Sequence, residues 1–248
     1  MAVTVYLAAS LRLASLNLCS DEYLLLLARP GEAVSVSRLS HDPAESPLAG
    51  MARSLPTNRG RIEDILAVRP DVVLMMGGGG RSSVAIARSL GIRVLDLPPP
   101  DTVEDVARNL LVVATALGDP ARAASYLARI KALGHGAAAG GLDTILLSHG
   151  GLSQSPGSLG TKWMTLAGMN QRPLPGGRAS LEELATKPPI ILLQSNYRSG
   201  QMSQGQLWLQ HPLLGALPSR RIVTDGRAWT CGGPLMISEI ERLRRQIR

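Results

Sequence analysis

The sequence predicts an α/β protein of two lobes, each built on a parallel sheet. Three observations carry that prediction. Apolar runs of strand length alternate with helical segments about every twenty residues, as in a sheet covered by helices on both faces. One phrase occurs twice. Residues 62–74 read Ile-Glu-Asp-Ile-Leu-Ala-Val-Arg-Pro-Asp-Val-Val-Leu, and residues 181–193 read Leu-Glu-Glu-Leu-Ala-Thr-Lys-Pro-Pro-Ile-Ile-Leu-Leu, with one helical residue fewer. Each copy is a short acidic-headed helix, a basic residue, a proline that stops the helix and a buried strand. Finally, roughly thirty residues of helix separate the two alternating stretches. Two copies so far apart imply two lobes rather than a solenoid, and ligands then sit between lobes.

The elements follow in order. Residues 11–17 alternate like a strand, 21–28 form a leucine-rich helix closed by Pro30 and Gly31, and 33–37 form a second strand. Residues 40–58 are polar, carry three prolines and read as loop with one helical turn. The first copy supplies a helix at 62–68 and a strand at 71–76; Gly77–Gly80, a helix at 81–90 and a strand at 92–97 follow. Residues 102–117 and 120–133 are helical, Thr102 with Asp105 resembling a capping box and Pro120 suiting a first turn. Gly134–Gly141 reads as a flexible joint. Beyond it come a strand at 144–148, a helix at 159–167, the second copy at 180–193, partial helix at 207–217, a strand at 221–224 and a closing helix at 235–247. The expected division is 1–100, an N-terminal lobe; 101–140, a helical connector; and 141–248, a C-terminal lobe.

Composition narrows the function. The 248 residues are 45% apolar and 18% charged, an ordinary globular balance, with 3% aromatics and no Phe. A net charge of +7 favours an anionic partner. The one dense basic run, Arg242, Arg244, Arg245 and Arg248, ends a helix whose dipole it complements, and few aromatics exist for base stacking. A small anionic ligand is therefore expected before nucleic acid. No run has the length of a membrane span. The first ten residues resemble either the tail of a signal peptide lacking its basic start or a first strand.

Ligands of open α/β sheets bind outside the carboxyl ends of the strands. The residues there are Asn17–Asp21, Arg38–Asp42 and Gly77–Arg81 in the first lobe, and His149–Ser153, Ser195–Gln201 and Arg227–Cys231 in the second. The glycine run before Arg81 can hold an anion on its N–H groups or simply let a ligand approach the backbone. Its spacing matches no nucleotide-binding fingerprint. His41 with Asp42 fits acid–base work or loop ordering about equally for the histidine, with loop ordering ahead for the aspartate. Cys19 and Cys231 have three readings: simple burial first, then a disulfide, then thiols facing a ligand. Tyr197, Arg198 and Trp229 are strand-end residues offering a phenol, a charge and a flat face to a ligand, whereas Trp163 and Trp208 are assigned to packing. No nucleophile elbow or metal-ligand spacing is present, so neither catalysis, nor a protein-held metal, nor a resident cofactor is expected.

Taken together, Arg12-Leu-Ala-Ser-Leu-Asn-Leu-Cys-Ser-Asp-Glu, the 62–74 phrase, Leu90-Gly-Ile-Arg-Val-Leu-Asp-Leu, the 102–133 helices, and Trp208 with His211-Pro212-Leu213 and Arg221-Ile-Val resemble one family. It is that of the periplasmic substrate-binding proteins of ABC importers for vitamin B12, iron-siderophores and related metal chelates. The resemblance runs from Leu11 to Arg248. It implies two Rossmann-like lobes joined by a long rigid helix, a periplasmic and monomeric protein, and cobalamin or a ferric-siderophore-like chelate clamped between the lobes. The residues expected to hold it are Asn17, Cys19, Arg38, His41, Arg59, Gly78, Gly79, Arg81, Tyr197, Arg198, Trp229 and Cys231. It also implies delivery to a permease dimer, with Glu63 and Glu182, one in each copy of the phrase, as docking residues. An α/β enzyme or cofactor-binding subunit holding a nucleotide on Gly77–Gly80 is the alternative.

Overall fold

Alternating strands and helices become two all-parallel sheets. The computed structural model describes residues 11–78, 81–135 and 140–247, with backbone alone at 81–83. The first-strand reading of 1–10, Gly79, Gly80, the 136–139 part of the expected joint, Arg248 and the Arg81 side chain lie outside the described residues. The chain divides into two compact units, Met1–Pro43 with Leu48–Pro99 and Asn109–Ala123, and Ala44–Pro47 with Pro100–Arg108 and Ala124–Arg248.

In the first unit the strands are β1 (Leu13–Ser15), β2 (Ala33–Ser37), β3 (Thr57–Asn58), β4 (Val72–Met76) and β5 (Arg93–Leu97). They lie in the order β3-β2-β1-β4-β5, every pair parallel. The chain moves outward from β1 to β3, then crosses to the other side of β1 for β4. The point where strand order reverses, and where such sheets bind ligands, is the crevice between β1 and β4. Helices α1 (Leu18–Leu27), α2 (Ala49–Ala52) and α3 (Arg81–Ser89) accompany the sheet. Ile62 and Ile65 of the first phrase join Ala14, Val34, Val73 and Met75 in one apolar core.

The connector is two helices, α4 (Val103–Ala116) and α5 (Ala124–His135), the second preceded by a 3-10 turn at Pro120–Ala123. It is not the single long helix that the resemblance implies, because Gly118 takes a positive φ of 78° between them. The capping box is present: Thr102 N–H donates to Asp105 Oδ2 at 2.9 Å, and Asp105 N–H to Thr102 Oγ1 at 3.1 Å.

In the second unit β6 (Leu142–Leu147), β7 (Met169–Gln171), β8 (Ile191–Ser195) and β9 (Arg220–Thr224) form a parallel sheet in the order β7-β6-β8-β9. Its reversal point lies between β6 and β8. Strand β7 was not foreseen, since three residues lack any β-branched or alternating signal. Helices α6 (Leu159–Ala167), α7 (Leu181–Thr186), α8 (Gln204–Leu209), α9 (Pro212–Ala216), α10 (Gly226–Cys231) and α11 (Leu235–Ile247) complete the unit. Trp163 is wholly buried, as its assignment to packing requires, and donates its indole N–H to Gly232 O at 2.9 Å.

The two phrases fold alike but not identically. The first winds as a 3-10 helix, Ile62–Val68, ending in Arg69 at a left-handed φ of 42°. The second winds as α7 and ends in Lys187 at φ −137° and ψ 72°. Both last residues precede proline, whose ring pushes its predecessor out of the right-handed helical region.

Candidate functional site

In the first unit Asn17 ties the reversal point together. Its side-chain carbonyl caps α1 by accepting the Ser20 N–H at 3.0 Å, and its amide donates to Met76 O at the end of β4, also at 3.0 Å. Asn17 thus shapes the crevice with polar atoms expected to meet a ligand. Beside it, buried Asp21 accepts the Ser37 N–H at 3.1 Å and the Ser40 hydroxyl at 2.6 Å, fixing the turn Arg38–His41. Burial pushes the Asp21 carboxyl up, against the hydrogen bonds of Ser15, Ser37 and Ser40. Arg38 and Arg59 are exposed, while His41 Nε2 is buried with no hydrogen-bond partner among the described residues. Gly77 and Gly78 take φ of 81° and 75°, which explains glycine there, and Gly78 N–H points to Asp96 Oδ1 at 3.3 Å. That N–H is already engaged by one of the chain's own carboxylates.

In the second unit the reversal point is open. A pocket of about 190 Å³ lies at the ends of β6 and β8, lined by Ser148, His149, Ser195, Tyr197, Gly226 and Trp229 among others. A larger cavity of about 750 Å³ is lined by His149, Gly150, Arg178, Ser180, Gln204 and Trp208 among others. His149 borders both. It is exposed, and its imidazole has no hydrogen-bond partner among the described residues. Trp208, assigned to packing, packs only partly on the core and walls the larger cavity.

Three expectations need correction here. Tyr197 and Arg198 do not wait unpaired for a ligand anion, because the protein supplies one of its own: Tyr197 OH donates to buried Glu45 at 2.5 Å, and Arg198 pairs with the same carboxylate. Glu45 belongs to the second unit, far from Tyr197 in sequence, so local reading had no sight of it. Trp229 is on helix α10 rather than in a loop, its indole donating to Thr224 Oγ1 at 2.7 Å. Asp225, which caps α10 by accepting the Arg227 N–H at 3.1 Å, was the available signal. Lastly, Cys19 and Cys231 are half-exposed rather than buried, and neither is a free thiol.

Gly226 sets the shape of the smaller pocket. A Cβ there would overlap Ser195 Oγ and Tyr197 Cβ and lie 2.8 Å from Tyr197 N. Gly226→Ala is expected to destabilise the protein by about 1–3 kcal/mol through overpacking. Thermal unfolding checks this; an unchanged midpoint would show that α10 can shift away freely.

Glu63 and Glu182 are exposed, each in the first turn of its helix. Among the described residues no helix is long and apolar enough to cross a membrane, and no cluster of three His, Cys, Asp or Glu side chains is placed to hold a metal ion.

Parallel sheets with a pocket where strand order reverses form a ligand-binding architecture of the α/β class. The family described as periplasmic binding protein matches residues 13–138, just over half of the chain, and the protein belongs to that family. No curated protein sequence matches it. Its fold is that of several solved structures. The periplasmic heme-binding protein HutB of Vibrio cholerae superposes with a TM-score of 0.74 at 18% identity, covering 96% of this chain and 98% of that one. A periplasmic heme-binding protein from Pseudomonas aeruginosa gives 0.67 at 22% identity, over 96% and 92%. Helicobacter pylori Ceue with Ni(II) bound gives 0.65 at 14%, over 95% and 82%.

Proposed function

We propose that this periplasmic binding protein captures a metal chelate and delivers it to an ABC-transporter permease. The observation that carries the reading is His149, an imidazole with no internal partner at the reversal point of the second sheet, bordering two cavities. Neutral imidazole ligates iron, cobalt and nickel, so it suits the open face of a chelated metal. Trp208 and Trp229 add flat apolar walls beside it. The heme and nickel named for the structural neighbours agree with a chelate of this kind. A heme-type or ferric chelate is the favoured cargo, with cobalamin the other candidate of the sequence reading. In the first unit, exposed Arg38 and Arg59 with His41 are the residues proposed to meet it. Glu63 and Glu182 are proposed to dock against cationic residues of the permease.

Titration with haemin, ferric citrate and cobalamin, followed by absorbance and thermal shift, tests the reading. Saturable binding of at least one is expected; binding of nucleotides with none of the three would sink it. His149→Ala is expected to weaken the bound chelate at least about tenfold and to shift its absorption bands. An unchanged spectrum with unchanged affinity would remove the imidazole from the metal.

A further inference from the structure

The larger cavity of the second unit has a chemical character that narrows the cargo, and the following rests on the chelate reading above. Among the described residues lining it, Arg178 is the one permanent cation and none is acidic. Several arginines of this unit are matched with carboxylates, among them Arg129 with Glu241, Arg172 with Asp143, Arg198 with Glu45, Arg227 with Asp225 and Arg242 with Glu239, while Arg220, Arg221 and Arg244, none of which lines this cavity, reach neutral oxygens. Arg178 has no carboxylate partner among the described residues. Its Nη1 donates to Gly150 O at 2.7 Å, which fixes the guanidinium while leaving the Nε–Nη2 edge available. Such an edge binds a carboxylate through two parallel N–H···O bonds. The exposed Ser180 hydroxyl and Gln204 amide add neutral donors, and Trp208 adds a planar wall.

We propose that this cavity is a carboxylate-recognising compartment, Arg178 being the specificity-determining residue, and that the cargo is a metal chelate with peripheral carboxylates rather than a neutral one. A volume of about 750 Å³ admits a sizeable part of such a ligand. Unlike Arg198, whose charge is neutralised by Glu45, Arg178 meets an incoming anion without displacing an internal one.

The test compares haemin, which bears two carboxylates, with haemin dimethyl ester, alongside ferric citrate and the amide-rimmed cobalamin, on the full chain. The wild-type protein is expected to bind haemin at least about tenfold more tightly than the diester. Arg178→Met should close that gap by weakening haemin and leaving the diester unchanged, and Arg178→Lys should restore only part of it, since an ammonium lacks the paired donors. A structural role through Gly150 would instead weaken both porphyrins equally, which overturns the assignment. So does equal wild-type affinity for acid and ester. Binding of cobalamin alone overturns the carboxylate compartment while leaving chelate carriage intact, whereas binding of none of the four removes both.

Discussion

Replacing Arg122 with methionine is expected to lower stability by about 3–5 kcal/mol, the cost of stranding a buried carboxylate. Arg122 and Glu32, both in the first unit, retain only 10% and 9% side-chain exposure and form a two-pronged pair. Arg122 Nη2 donates to Glu32 Oε1 at 2.9 Å, Nη1 donates to Glu32 Oε2 at 2.5 Å and reaches Leu27 O at 3.2 Å. The pair thereby joins the end of α1 and the start of β2 to the 3-10 turn before α5. Methionine fills the same space without the charge, so the effect reports the polar contacts of Arg122, to Glu32 first and to Asp119 and Leu27 O beside it, rather than packing. Changing Glu32 to leucine in the same chain should recover most of the loss, because a well-packed apolar pair replaces a buried ionic one at little cost. Chemical unfolding of the two single variants and the double variant measures this. Equal loss in all three would assign the effect to backbone disturbance instead.

The same pair has a pH signature. Hydrogen bonding from Arg122 holds the Glu32 carboxyl below its ordinary range, even though burial works against it. A carboxylate whose pKa is lower in the folded state stabilises the fold above its unfolded value, and that contribution disappears as pH falls through the folded value. The gap between wild type and Arg122→Met should therefore be full at neutral pH and narrow in acid. Asp21 has the opposite sign, since burial raises it, and its neutralisation in acid relieves rather than weakens the fold.

Reversing Glu63 and Glu182 to lysine together should abolish uptake while leaving chelate affinity unchanged. Both side chains are exposed, and neither forms an ion pair within 4 Å among the described residues, so reversal disturbs little of the fold. The expected stability change is about 0.3–1 kcal/mol per site, from placing a cation at a positive helix end. At an interface the consequence is larger. Truncating one partner of a close charge pair costs about 2–5 kcal/mol, and reversal adds repulsion. Two such sites predict a loss of roughly a thousandfold or more in affinity for the permease. Reconstituted permease vesicles measure uptake, and titration of the free protein measures ligand binding. Parallel loss of chelate affinity would place these residues in the ligand site rather than on a docking face.

Much of this architecture is determined by sequence alone. Helix boundaries at Leu159–Ala167 and Leu235–Ile247 and the strand Ala33–Ser37 were readable because periodicity, caps and stops operate within one short window. The repeated phrase likewise placed its helices and strands, and the resemblance built around it named the family. That both helices stop where they do follows from local chemistry, the residue before proline. Function-bearing contacts were read less well. Asn17, Tyr197 and Arg198 were rightly placed at strand ends, yet tertiary structure decided that their polar atoms serve Met76 and Glu45. His149 stood in a loop already weighed, but no motif marked it. Only the order β7-β6-β8-β9 places it where the chain reverses and two cavities meet. A strand's identity is a property of its own residues, whereas its neighbours in a sheet, and the partners of a charge lying some 150 positions away, depend on how distant segments pack.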